Sequence, residues 1–152
     1  MVDNVYLKNV LSEYIPQVVV TSVDRLSERE CQNSEYFIIN TANFPHSGHW
    51  IGLILSGNVC TYFDSLGLES LIDERIVNFI CKRATILKYN INVIQSPSSK
   101  YCGFFCIGFI LSFMCSENLG KYLNWFNDTD LIKNDSIVIH VICFYSQMMK
   151  CV

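Results

Sequence analysis

The 152-residue chain has the length of one domain, residues 1–152, enough to close a hydrophobic core without disulfides or metals as staples. Hydrophobic residues make up 51% and charged residues 16%, which excludes an extended disordered tail. The 11 Lys+Arg against 14 Asp+Glu leave a formal charge of -3, so no global positive field draws the chain onto nucleic acid. Asp3 is placed to cap a first helix in which Tyr6, Leu7, Val10, Leu11 and Tyr14 recur at three- and four-residue spacing, and Pro16 marks its end. Short β-branched or aromatic runs at residues 18–20, 36–39, 50–55 and 59–63 then predict strands, with Ser56, Gly57 and Asn58 as the turn joining the last two.

From Leu68 the helical period returns. Leu68, Leu71, Ile72, Ile76, Phe79 and Ile80 share one stripe, acids occupy the first turns, and Lys82 and Arg83 stand at the end where the macrodipole favours them. A fifth strand is predicted at 91–94, followed by a polar loop at 95–100 and an apolar helix beginning near Cys102. The apolar stretch 102–115 falls short of the roughly 20 residues that span a bilayer, so it reads as a buried core helix and no membrane partner is expected. After a polar stretch around 127–135, segment 137–149 is rich in β-branched residues and fits either element by pattern. Helices and strands segregate along the chain, which predicts an α+β fold: a small central mixed sheet with helices at its sides.

Eight cysteines would suit a disulfide framework in a secreted mini-protein, but Asp3 and Asn4 interrupt any apolar leader, and reduced thiols in an intracellular setting are expected. A free cysteine is most often a small buried hydrophobe. Cys102 differs from the other seven. It stands where the loop containing Pro97, Ser98 and Ser99 gives way to the apolar helix, so its sulfur would lie over unpaired backbone N–H groups that favour a thiolate. Gly103 follows and leaves room for a substrate backbone.

A thiol nucleophile needs a base, and the chain offers His46, His49 and His140. His140, between Val138, Ile139, Val141 and Ile142, reads as a hydrogen-bonded core histidine. His46 and His49 form an HxxH pair without a CxxC or a usefully spaced third ligand, so no metal and no cofactor are expected. His49, at the start of a strand between Gly48 and Trp50, is the candidate base. The strand it opens turns at 56–58 and returns to Asp64, which strand length alone brings back beside His49, where a carboxylate would fix the imidazole's tautomer. Alternatively, Asp64 merely opens an Asp-Ser-Leu-Gly turn.

Four blocks stand together: Asn40-Thr41-Ala42, His49-Trp50, Phe63-Asp64-Ser65-Leu66-Gly67, and the run from Gln95 through Cys102-Gly103 to Cys106. In order and content they resemble the catalytic blocks of the adenain family of adenovirus maturation proteases, within a wider clan that includes the SUMO-specific proteases. The resemblance spans roughly residues 17 to 115. It implies a papain-like cysteine endopeptidase with Cys102 as nucleophile, His49 as general base and acid, and Asp64 as the orienting acid, a position usually Glu in the adenovirus enzymes and Asp in the SUMO proteases. The side-chain amide of Gln95 would join the backbone N–H of Cys102 in an oxyanion hole. Trp50 would cover the substrate main chain near the scissile bond and favour Gly there; a core tryptophan is the alternative.

The implied task is cleavage of viral or virus-like precursor proteins at Gly-containing sites during particle maturation, inside the host cytoplasm or nucleus or packaged in virions. The alternatives are a deconjugating protease acting on the Gly-Gly tail of a ubiquitin-like modifier, and a catalytically inactive binding module of the same fold. The adenain enzymes are basic and are stimulated by DNA and by a disulfide-tethered peptide. This chain is acidic and its nearest candidate for tethering, Cys81, falls on a predicted helix, so neither activation is carried over.

Overall fold

A strand with no polar face has no side to give to water and must run through the middle of a sheet covered on both faces. Residues Trp50–Ser56 form such a strand, β3, buried at every position but Ser56. The computed structural model, which describes residues 4–67 and 72–151, sets it at the centre of a five-stranded mixed sheet ordered β1-β2-β3-β4-β5. The other strands are β1 (Val18–Ser22), β2 (Tyr36–Asn40), β4 (Val59–Phe63) and β5 (Ile86–Tyr89). The central pairs, β2·β3 and β3·β4, are antiparallel; the outer pairs, β1·β2 and β4·β5, are parallel. The expected α+β organisation, with a small mixed sheet and flanking helices, is therefore present.

Alternate residues of β1 to β4 feed two separate cores. On one face Ile38, Trp50, Ile54 and Phe63 pack against Leu7 and Leu11 of α1 (Asn4–Tyr14), Phe105 and Phe109 of α4 (Cys102–Met114), and Val138 and Val141 of α6 (Asn134–Lys150). On the other, Phe37, Ile51, Leu53 and Tyr62 meet Cys31 of α2 (Arg29–Gln32) and Ile76, Phe79 and Ile80 of α3 (Glu74–Cys81). Helix α4 is apolar nearly all round because it is enclosed by the sheet, α6 and the short α5 (Leu119–Leu123). It seats closely on the sheet at Gly52, where a Cβ would lie 2.7 Å from Phe109 Cδ1. From that contact His49 is three strand residues back and Cys102 seven helical residues back, about 10 Å in each case. Strand and helix thus bring the two residues to the same level.

Several elements depart from expectation. The fifth strand is Ile86–Tyr89, not 91–94. It is an edge strand with all four residues exposed, so it carries no alternation to read, whereas exposed Ile91 and Val93 mimic a strand and form no strand pair among the described residues. Helix α3 starts only at Glu74, because Asp73 turns its carboxylate back to accept the Arg75 N–H at 2.8 Å and caps it there. The Asp3 cap, the Tyr6 and Tyr14 side chains, Leu68 and Leu71 lie outside the described part. Segment 137–149 is helical within α6: Val138, Val141 and Tyr145 are buried at helical spacing. His140 is consequently not a core histidine. It lies exposed between those buried rows, with Nδ1 2.8 Å from the Ser136 carbonyl one turn back. Among the described residues, no helix is long and apolar enough to cross a membrane.

Candidate functional site

His49 is set by an extension of the β2·β3 ladder. Beyond the Asn40–Trp50 pair, the Thr41 N–H donates to the His49 carbonyl at 2.9 Å and the His49 N–H donates to Thr41 Oγ1 at 3.2 Å. The preceding Gly48 has no room for a side chain, since a Cβ would sit 2.6 Å from Asn40 Oδ1, which itself accepts the Ala42 N–H. Asp64 follows Phe63, whose ladder partner is Gly52, so the returning hairpin strand brings its carboxylate to the imidazole. His49 Nε2 lies 2.7 Å from Asp64 Oδ1. The geometry expected from strand length is the geometry found.

Asp64 is itself clamped. The side-chain amide of Asn90, just past β5, accepts the Asp64 N–H at 2.9 Å and donates to the Asp64 carbonyl at 2.6 Å, replacing a main-chain pair with a side-chain one. Asp64 Oδ1 also accepts the Leu66 N–H at 2.8 Å. With the carboxylate side chain only 5% exposed, these bonds satisfy groups that would otherwise be buried without partners.

With Nε2 engaged by Asp64, Nδ1 is the ring nitrogen left for Cys102, the first residue of α4. Burial by itself lowers the affinity of His49 for a proton. The hydrogen bonds to Asp64 and Cys102 and the negative charge of both partners outweigh it, raising the imidazole pKa from 6.5 to about 9. For Cys102, burial disfavours the thiolate; the hydrogen bond from His49, the Trp50 N–H, the imidazolium charge and the Gly103 N–H together favour it, holding the thiol below its ordinary 9.0. The two shifts run in the same direction, each stabilising the thiolate–imidazolium form of the pair. One turn on, Cys106 is wholly buried among apolar side chains and its thiol is pushed well above the ordinary value. All eight cysteines are unpaired.

No protein-family model matches this sequence, and no curated protein matches it either.

A cleft of about 490 Å³ opens over the pair, walled by Ser47, Gly48, His49 and Trp50 on one side and by Leu66, Gln95, Pro97, Ser99, Lys100 and Cys102 on the other. Trp50 lines it while remaining 3% exposed, so it belongs to the core as well as to the cleft wall. Gly103 is buried in the first turn of α4. Gln95 is 3% exposed; its Oε1 meets the Ser65 hydroxyl at 2.5 Å and its Nε2 donates to the Ser99 carbonyl at 3.0 Å. His46 is exposed on the loop before His49, and among the described residues no three His, Cys, Asp or Glu side chains are grouped to hold a metal ion. A larger depression, about 590 Å³ between α1, β1 and α2, contains none of the predicted site residues.

The loop leading to Cys102 is tied down from the far end of the chain. Buried Asn134 donates to the Ile94 carbonyl at 2.8 Å, and the neighbouring Asp135 accepts the Ser99 hydroxyl at 2.7 Å, while Ser99 Oγ accepts the Tyr101 N–H. Sequence reasoning passed over Ser65, Asn90, Asn134 and Asp135. The available signal was two Asn residues, Asn90 and Asn92, set among apolar neighbours, and an Asn-Asp pair opening an apolar segment, at Asn134-Asp135.

Proposed function

We propose that the protein is a papain-like thiol hydrolase, an adenain-like cysteine endopeptidase with Cys102, His49, Asp64 and Gln95 as its working residues. The observation that carries this reading is the row Cys102–His49–Asp64, in which a thiol held below its ordinary pKa at a helix N-terminus faces an imidazole held above its own by a buried carboxylate. Cys102 Sγ attacks the scissile carbonyl carbon; the C–S bond forms and the carbonyl π electrons move to oxygen. That oxyanion is met by the Cys102 backbone N–H and the Gln95 amide. Collapse breaks the C–N bond, and the leaving amine takes its proton from the His49 imidazolium. Neutral His49 then draws a proton from water, which attacks the thioester, releasing the carboxylic product and restoring thiolate and imidazolium. Asp64 keeps Nε2–H engaged throughout, so Nδ1 is the nitrogen that exchanges protons.

The four blocks shared in order with the adenain family support the narrower assignment to processing of viral or virus-like precursors at Gly-containing sites. The presence of Asp at position 64 favours, as a second reading, removal of ubiquitin-like modifiers. Incubation with a peptide vinyl sulfone ending in Gly-Gly, read by intact mass and peptide mapping, tests the chemistry: modification confined to Cys102 is expected. No modification would leave the inactive binding module in its place. Comparing hydrolysis of Gly-containing precursor peptides with that of modifier conjugates then separates the two protease readings.

A further inference from the structure

The orientation of the Gln95 amide follows from what its neighbours are able to do. The Ser99 carbonyl can only accept, so the group 3.0 Å from it is Nε2. Oε1 therefore faces Ser65, whose hydroxyl, 2.5 Å away, must be the donor. Ser65 is 0% exposed, and its carbonyl accepts the backbone N–H groups of Ile94 and Gln95 at 2.9 and 3.0 Å, so it grips Gln95 by main chain and side chain together. Oε1 is thus covered, one Nε2 hydrogen is used by Ser99, and the second is the remaining polar hydrogen of the amide, in a side chain that lines the cleft.

We infer that Ser65 is a positioning residue for acyl transfer: its buried hydroxyl fixes the flip of the Gln95 amide so that the second Nε2 hydrogen is offered to the oxygen of a reacting carbonyl. This rests on the hydrolase reading above and assigns the oxyanion arm a support of its own. Ser65 directly follows Asp64, so one dipeptide serves both halves of the site. Asp64 holds the imidazole and Ser65 holds the amide. Removing the hydroxyl leaves Oε1 buried without a donor, and an amide that turns to find one presents an acceptor, rather than a donor, to the developing oxyanion.

Two reactions of Cys102 separate this role from a structural one. Acylation by p-nitrophenyl acetate passes through an oxyanion; alkylation by iodoacetamide, a displacement at saturated carbon, does not, yet needs the same thiolate. Ser65→Ala should slow acylation on the order of tenfold, through kcat with KM unchanged, and leave the iodoacetamide rate alone. Because Ser65 acts through Gln95, Ser65→Ala combined with Gln95→Ala should acylate no more slowly than Gln95→Ala alone. Ser65→Cys, whose S–H is a poor donor, is measured in parallel and should show the same selective loss, reduced in size; it stands in if Ser65→Ala does not fold. Unchanged acylation in whichever variant folds overturns the inference, as does a parallel loss of both reactions or multiplication of the two single losses. A wild-type protein that alkylates but never acylates would instead remove the hydrolase reading, and the inference with it.

Discussion

The two ends of the β3–β4 hairpin place polar groups in opposite circumstances. At the turn, Ser56, Gly57 and Asn58 are exposed and face water; the Asn58 side chain donates to Thr85 Oγ1 at 3.1 Å on the surface. At the open end, Asn40, Asp64, Ser65, Asn90, Gln95 and Ser96 are all buried. A buried polar group left unpaired costs about 1–3 kcal/mol, so such a cluster persists only if its members satisfy one another. They do so through bonds between residues far apart in the chain, such as Ser65 with Gln95 and Asp64 with Asn90. A fold needs a turn, and the exposed end supplies one at little expense. The buried end is costly for a mere connection, and among its members Asp64 holds the His49 imidazole while Gln95 lines the cleft with Cys102.

The sharpest break between the two ends is loss of the nucleophile. Cys102→Ala should abolish cleavage and acylation while leaving the melting temperature within a few degrees, because a half-buried thiol leaves only a small void. His49→Ala should abolish them as well. Activity assays beside thermal melts check both, and near-wild-type turnover in Cys102→Ala would remove the assignment. Gln95→Ala comes next: kcat should fall a hundred- to a thousandfold with KM nearly unchanged, as expected for a donor that acts mainly on the transition state.

Asn90→Ala probes the clamp rather than the chemistry. It removes the acceptor of the buried Asp64 N–H and the donor to its carbonyl together, and should destabilise the fold by about 3 kcal/mol in chemical denaturation. Smaller in effect is pH. The working form is thiolate with imidazolium, so acylation should rise as Cys102 loses its proton at a pH below 9.0 and fall, by about tenfold per unit, once pH passes about 9 and His49 loses its own. Because the two groups are coupled, the limbs belong to the pair. A pH–rate profile of kcat/KM whose falling limb stayed near 6.5 would mean that Asp64 and Cys102 do not hold the imidazolium.

Much of this end was legible in the sequence, because its placement depends on local lengths. A seven-residue strand, a short turn and a five-residue return bring Asp64 to His49, and a polar loop before an apolar run puts Cys102 at a helix start. Periodicity misled where burial did not alternate. The exposed edge strand β5 was displaced onto the alternating 91–94, and the β-branched run around His140 concealed a helix that turns that residue outward. The supports of the site were illegible for a different reason. Asn90, Ser65 and Asn134 meet partners 26, 30 and 40 residues away, and no local pattern encodes a hydrogen bond closed by the tertiary fold.

The smallest expected effect belongs to the turn, where it isolates backbone strain from everything else. Gly57 has φ +58°, in the left-handed region, and a Cβ built there would meet no atom within 4 Å. Gly57→Ala therefore brings no clash, only the cost of holding an L-residue at positive φ, about 1 kcal/mol. For a chain of this size that is a fall of about 3 °C in melting temperature. The full length of β3, roughly 20 Å at the strand rise, separates the turn from His49, and no bond of the buried cluster reaches it. Acylation and cleavage rates per folded molecule should thus match wild type at temperatures well below the melt. If Gly57→Ala lowered kcat along with stability, the hairpin would transmit strain from its turn to the His49–Asp64 pair, and the two ends would form one mechanical unit. An unchanged kcat beside a lowered melting temperature would establish that the exposed end serves the fold alone.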